Sequence, residues 1–167
     1  MEDYSSAELK AECFDGFGTL YLDGKRLSRV PDAVTELSQV EQLWLNSNNL
    51  TELPTSIQKL SRLRSLYLGE NNLTELPAEI GDLKELMVLS VSNNQLVGLP
   101  TSIQKLNGLE RLNVDGNNLT ELPAEIGDLK ELLGLYVCGN PLTVNAIKFA
   151  LKLEKRGVST DIAGEDK

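Results

Sequence analysis

The chain has 167 residues, 41% hydrophobic and 25% charged, which fits one folded domain and excludes a disordered, collagenous or disulfide-framework chain. Acidic residues outnumber basic ones 25 to 16, giving a net charge of −9 and disfavouring nucleic acid as a partner. There is no histidine, which removes the commonest general base, the usual catalytic triads and most zinc sites.

The N-terminus, Met1-Glu2-Asp3-Tyr4, has neither a basic nor an apolar stretch of the kind that opens a signal peptide. No apolar run approaches the roughly 20 residues of a membrane helix. A cytoplasmic protein is expected, with delivery into a host cell as the open alternative. Ser5 and Glu8 form a capping box, Ala7, Ala11 and Phe14 follow at helical spacing, and Gly16 supplies a stop. This predicts a helical cap over residues 1–16.

Residues 17–142 repeat with a period of 23. Leu63, Leu66, Leu68, Asn71 and Leu73 form L-x-x-L-x-L-x-x-N-x-L, and steps of 23 reach Leu86, Leu89, Val91, Asn94 and Leu96, then Leu109, Leu112, Val114, Asn117 and Leu119. A further step reaches Leu132, Leu135, Val137, Asn140 and Leu142. Backward steps reach Val40, Leu43, Leu45, Asn48 and Leu50, then Phe17, Leu20, Leu22, Lys25 and Leu27. Pro31, Pro54, Pro77, Pro100 and Pro123 keep the same period. Six units in register, each with alternating apolar positions such as Leu66 and Leu68, predict six strands stacked in a parallel sheet. Leu53, Ile57 and Leu60 share one helical face, predicting a helix of about two turns on each return, with proline at its first position.

These repeats resemble the leucine-rich repeat family. The second half, L-P-x-x-I-x-x-L, as in Leu53-Pro54-Thr55-Ser56-Ile57-Gln58-Lys59-Leu60, is similar to its 23-residue, intracellular, Ras-group-like class. The resemblance implies an α/β, right-handed solenoid with the sheet on the concave face, short helical turns on the convex face and helical caps at both ends. Asn48, Asn71, Asn94, Asn117 and Asn140 fall where each strand ends, and a buried amide there is expected to bond the turns of its own and the neighbouring repeat as a ladder. Lys25 interrupts this column, so the ladder is expected to begin at Asn48.

After the repeats, Thr143 is placed to cap a C-terminal helix over 143–157, with Ile147, Ala150, Leu151 and Leu153 as its apolar surface and Lys148, Lys152, Lys155 and Arg156 facing water. Residues 158–167 read as a flexible tail. Cys13 and Cys138 are too far apart along the stack to pair. Asn49, Asn72 and Asn118 match the glycosylation pattern and read as turn residues that the repeat copies. Residues 71–86 are identical to 117–132, and 53–60 to 99–106, so the true unit is a 46-residue pair, whether by duplication or by design.

With the core columns committed to folding, the outward strand positions remain. The middle column reads Tyr21, Trp44, Tyr67, Ser90, Asn113 and Tyr136, with Arg64, Met87, Val88 and Arg111 beside it. Tyr, Trp and Arg are the preferred anchors of protein interfaces, although aromatic residues also suit exposed strands for their own sake. Tyr21, Trp44, Tyr67, Arg64, Met87, Val88, Arg111 and Tyr136 are the expected partner-binding residues. The sequence carries no phosphate-binding loop, metal-ligand spacing, cofactor fingerprint or catalytic set. The expectation is a monomeric, non-catalytic module that binds a protein through its concave sheet, as a scaffold or signalling adaptor. An inhibitor or effector that masks a target, and an engineered scaffold without a natural partner, stand as alternatives.

Overall fold

The computed structural model describes residues 13–162. Of the N-terminal cap, only Cys13–Gly16 fall within that range, so the helix expected to start at Ser5 lies outside the described residues. In chain order the strands and α-helices are β1 (Thr19–Tyr21), α1 (Asp32–Thr35), β2 (Gln42–Trp44), β3 (Ser65–Tyr67), β4 (Val88–Ser90), β5 (Arg111–Asn113), β6 (Gly134–Tyr136), α2 (Val144–Glu154) and β7 (Ser159–Asp161). The strands lie side by side in chain order and pair in parallel. From β1 to β6 every partner is 23 residues away, as in Leu20 to Leu43 and Leu43 to Leu66. The period of the sequence is therefore the rung spacing of the sheet.

The strands β1 to β6 are three residues long, each with its central leucine facing the core. Leu20, Leu43, Leu66, Leu89, Leu112 and Leu135 are fully buried, as are Leu22, Leu45, Leu68, Val91, Val114 and Val137 two residues on. The returns close over this layer with Leu60, Leu83 and Leu106 and with Ile57, Ile80, Ile103 and Ile126, and one continuous core results.

The returns are tighter than expected. After β2 to β5 they are 3₁₀ helices, Thr55–Lys59, Ala78–Asp82, Thr101–Lys105 and Ala124–Asp128, and the prolines stand one position before the helix in extended conformation. Ile57 N–H donates to Pro54 C=O and Leu60 N–H to Ile57 C=O, both over three residues. A 3₁₀ turn rises about 2.0 Å per residue against 1.5 Å in an α-helix, so five residues carry the chain further back toward the next strand. Only the first return, α1, is α-helical.

Two further differences lie at the ends. Among the described residues the sheet has seven strands, not six: Ser159–Asp161, within the expected tail, pairs with Gly134–Tyr136 at an offset of 25. That offset breaks the period, because α2 occupies the place of a return. Phe17, placed in the core by the period, is 92% exposed. Asp15 Oδ1 accepts hydrogen bonds from the N–H groups of Phe17 and Thr19, a local turn that swings Phe17 outward, and Cys13 and Phe14 pack against the core instead. At the other end Thr143 accepts from Ala146 N–H at 3.3 Å as the cap of α2, which buries Ala146, Ala150 and Leu153.

Candidate functional site

The Asn column sits where the backbone leaves each strand. Asn71 Nδ2 donates to the carbonyls of Leu45, Leu68 and Gly69, and its Oδ1 accepts from Leu50 N–H. Asn48, Asn94, Asn117 and Asn140 make the same four bonds in their own repeats. Lys25 is exposed. The residue before each Asn is left-handed: Ser47, Glu70 and Asn93 have φ of 54°, 56° and 53°, and glycine fills the position at 116 and 139. These columns hold the rungs at a fixed pitch under the concave face.

A second ladder runs one column away, and sequence reasoning missed it. Asn46 N–H donates to Asp23 Oδ1, Gly69 N–H to Asn46 Oδ1 and Cys138 N–H to Asp115 Oδ1, each 23 residues apart. The signal was an Asp or Asn recurring at that step, diluted by Gly69 and Ser92, which supply no carboxyl or amide. Asp115 pays for its place: partial burial holds its carboxyl above the usual aspartate range, the Cys138 N–H bond opposes this, and the charge of Asp161 adds to it.

On the exposed face the register sets Tyr21, Trp44 and Tyr67 side by side. The Trp44 and Tyr67 rings stack at 4.1 Å between centroids, and Tyr21 lies 6.1 Å from Trp44 at a tilt of 31°. Tyr21 is 50% exposed, while Trp44 and Tyr67 are half-buried. Trp44 points away from the core, but its Nε1 is buried with no hydrogen-bond partner among the described residues.

The other expected contact residues divide into two groups. Val88 pairs with Ser65 on one side and Arg111 on the other, so it adjoins the aromatic row. Arg64 and Met87 precede β3 and β4; the Arg64 carbonyl accepts from Met87 and Val88 N–H, and an open cleft beside Arg64 is lined by Glu41, Ser61, Arg62 and Glu85. Tyr136 is separate from the stack, with the rungs of Ser90 and Asn113 between them, and its ring lies over Gly134. Leu133, 58% exposed in the same column as Arg64 and Met87, was overlooked by sequence reasoning. Among the described residues no helix is long and apolar enough to cross a membrane, and no group of His, Cys, Asp or Glu is placed to hold a metal ion.

Residues 56–155 match the family described as leucine-rich repeat region, and residues 18–73 match leucine rich repeat. No curated protein matches the chain. Among solved structures, a leucine-rich repeat protein of Leptospira interrogans is 32% identical with a TM-score of 0.67, over 82% of this chain and 41% of that one. The internalin InlF of Listeria monocytogenes is 24% identical with a TM-score of 0.69, over 89% of this chain and 41% of that one. The plant peptide hormone receptor RGFR1, in complex with RGF2, is 27% identical with a TM-score of 0.66, over 81% of this chain and 22% of that one. The chain thus spans less than half the length of these relatives. A parallel stack of 23-residue rungs with leucines inward and an asparagine at each turn, matched by a family description over more than half its length, places this chain in the leucine-rich repeat family.

Proposed function

We propose that the chain is a non-catalytic module that binds a protein partner through its concave sheet. The observation that carries this is the stacked row of Tyr21, Trp44 and Tyr67, held half-exposed on a backbone that two hydrogen-bonded ladders fix in advance. Stacked rings lose little rotamer freedom on binding, and a preformed sheet loses little backbone freedom, so a few anchors suffice for affinity. Arg64, Met87, Val88 and Arg111 complete the contact surface, with Tyr136 as a separate outer anchor. The receptor RGFR1 with its RGF2 ligand supports the kind of activity, since that protein shares this fold. The L-P-x-x-I-x-x-L returns resemble the intracellular class of repeat, which supports a monomeric scaffold or signalling adaptor in the cytoplasm.

The test uses the chain as bait, with the Trp44→Ala/Tyr67→Ala double variant beside it. Both side chains stand outside the leucine core, so the variant is expected to keep its fold by circular dichroism. Partner affinity should fall by at least about tenfold, the size of a hot-spot loss. Equal affinity in the folded double variant would remove the concave aromatic row as the binding face.

A further inference from the structure

The central row of the concave sheet runs Tyr21, Trp44, Tyr67, Ser90, Asn113, Tyr136 and Asp161. Trp44 covers one face of the Tyr67 ring. The other face looks along the sheet across Ser90, whose side chain is too short to cover a ring. Asn113 is drawn to one side, its Oδ1 accepting from Asp115 N–H at 2.9 Å. Tyr136 leans to the opposite side, its ring 3.0–3.2 Å from where a Cβ on Gly134 would stand. A trough is left between Tyr67 and Tyr136. Three rung spacings make it about 14 Å long, which is about four residues of extended chain.

The two banks of this trough differ in charge. Val88 and Arg111 line one bank and Ser92 and Asp115 the other, while Asp161 continues the central row one rung past Tyr136, near enough for its charge to act on Asp115. Asp115 is partly buried, and both it and Asp161 lack an ion-pair partner among the described residues. The described ion pairs, Lys84 and Lys105 with Asp82, belong to the returns. The bank of Arg111 is therefore positive at one rung, whereas the charge of the opposite bank is negative. A like pair such as Asp115 and Asp161 is relieved by a cation more than by any other neighbour.

Building on the concave-face reading above, we infer that the partner enters this trough as an extended basic segment. One Lys or Arg lies against the open face of Tyr67, and a second basic side chain meets Asp115 and Asp161. A cation over a ring face is attracted by its quadrupole, and a long basic side chain fills the space above Ser90 with its methylenes.

The probe is a phage-displayed library of linear 12-residue peptides, panned on the wild-type chain. Selected peptides are then measured against Asp115→Asn/Asp161→Asn and against Trp44→Ala/Tyr67→Ala. Asparagine at 115 keeps the Oδ1 that accepts from Cys138 N–H, so the second ladder survives the change. The expected result is peptides rich in Lys and Arg that bind the Asn variant at least about tenfold more weakly and weaken further with added salt. Peptides without a basic excess, undiminished binding by the Asn variant, or no enrichment at all would overturn the inference. Neutral peptides that still need Trp44 and Tyr67 would overturn it while leaving the concave face as the binding surface. Peptides indifferent to both variants would remove both readings.

Discussion

Asn94 meets four backbone groups in two successive repeats: the Leu73 N–H and the carbonyls of Leu68, Val91 and Ser92. The amide is buried, so water does not replace these partners when it is removed. Each buried group left unpaired costs about 1–3 kcal/mol. Asn94→Ala is therefore expected to lower the stability by about 3 kcal/mol or more, read from urea denaturation at constant slope. A loss below about 1 kcal/mol would mean that the turns hold their shape without the side chain. The residue before it tells a related story. Ser47, Glu70 and Asn93 accept a left-handed backbone that other repeats give to glycine, because the Asn bonds require the chain to turn there. Their strain is the local cost of the ladder.

At the scale of elements, the duplicated returns separate sequence from context. Ala78–Asp82 and Ala124–Asp128 have the same residues and the same 3₁₀ form. Yet a Cβ on Gly81 would strike the carbonyl oxygen of Ser102 in the next return, whereas a Cβ on Gly127 would stand 3.7 Å from the Phe149 ring of α2. Neither glycine is left-handed. Gly81→Ala should thus cost about 1–3 kcal/mol through overpacking, and Gly127→Ala less than about 0.5 kcal/mol, by parallel thermal melts. Equal effects would show that the two returns are not packed differently. This contrast also marks what the sequence could disclose. The strands, their parallel order and their register follow from leucines two apart repeated every 23 residues. Ile57 and Leu60, three apart, suit a 3₁₀ turn as well as an α-helix, and Leu53 stands before the helix, so the type of return was not legible. β7 was hidden because Ser159-Thr160-Asp161 carries no leucine and breaks the period. The outward aromatic row was legible from alternation alone; the gap beyond Tyr67 was not, since it depends on which way Asn113 and Tyr136 lean.

For the whole molecule, the core is an apolar layer running along the stack, so the carboxylates lie around it and act through neighbouring rungs. Two of them pull stability in opposite directions with pH. Asp15, bonded by the N–H groups of Thr19 and Phe17, is held below the ordinary value of 3.8. Its contribution is present above that value and is lost as the pH falls through the lowered one. Asp115 is raised, first by burial, with the Cys138 N–H bond opposing and the Asp161 charge adding. Its folded form holds a proton more tightly than its unfolded form, so its charge weakens the fold at neutral pH. That penalty is absent well below 3.8 and sets in as the pH rises through the carboxylate range. Asp115→Asn keeps the ladder acceptor and removes the charge. Its melting temperature should exceed that of the wild type at neutral pH, and the excess should shrink to nothing in acid. Asp161→Asn removes only the last of the three causes and should give a smaller gain of the same sign. Melts across the acidic range check both, and a gain for Asp115→Asn that does not change with pH would show that packing of the amide, not relief of charge, produced it.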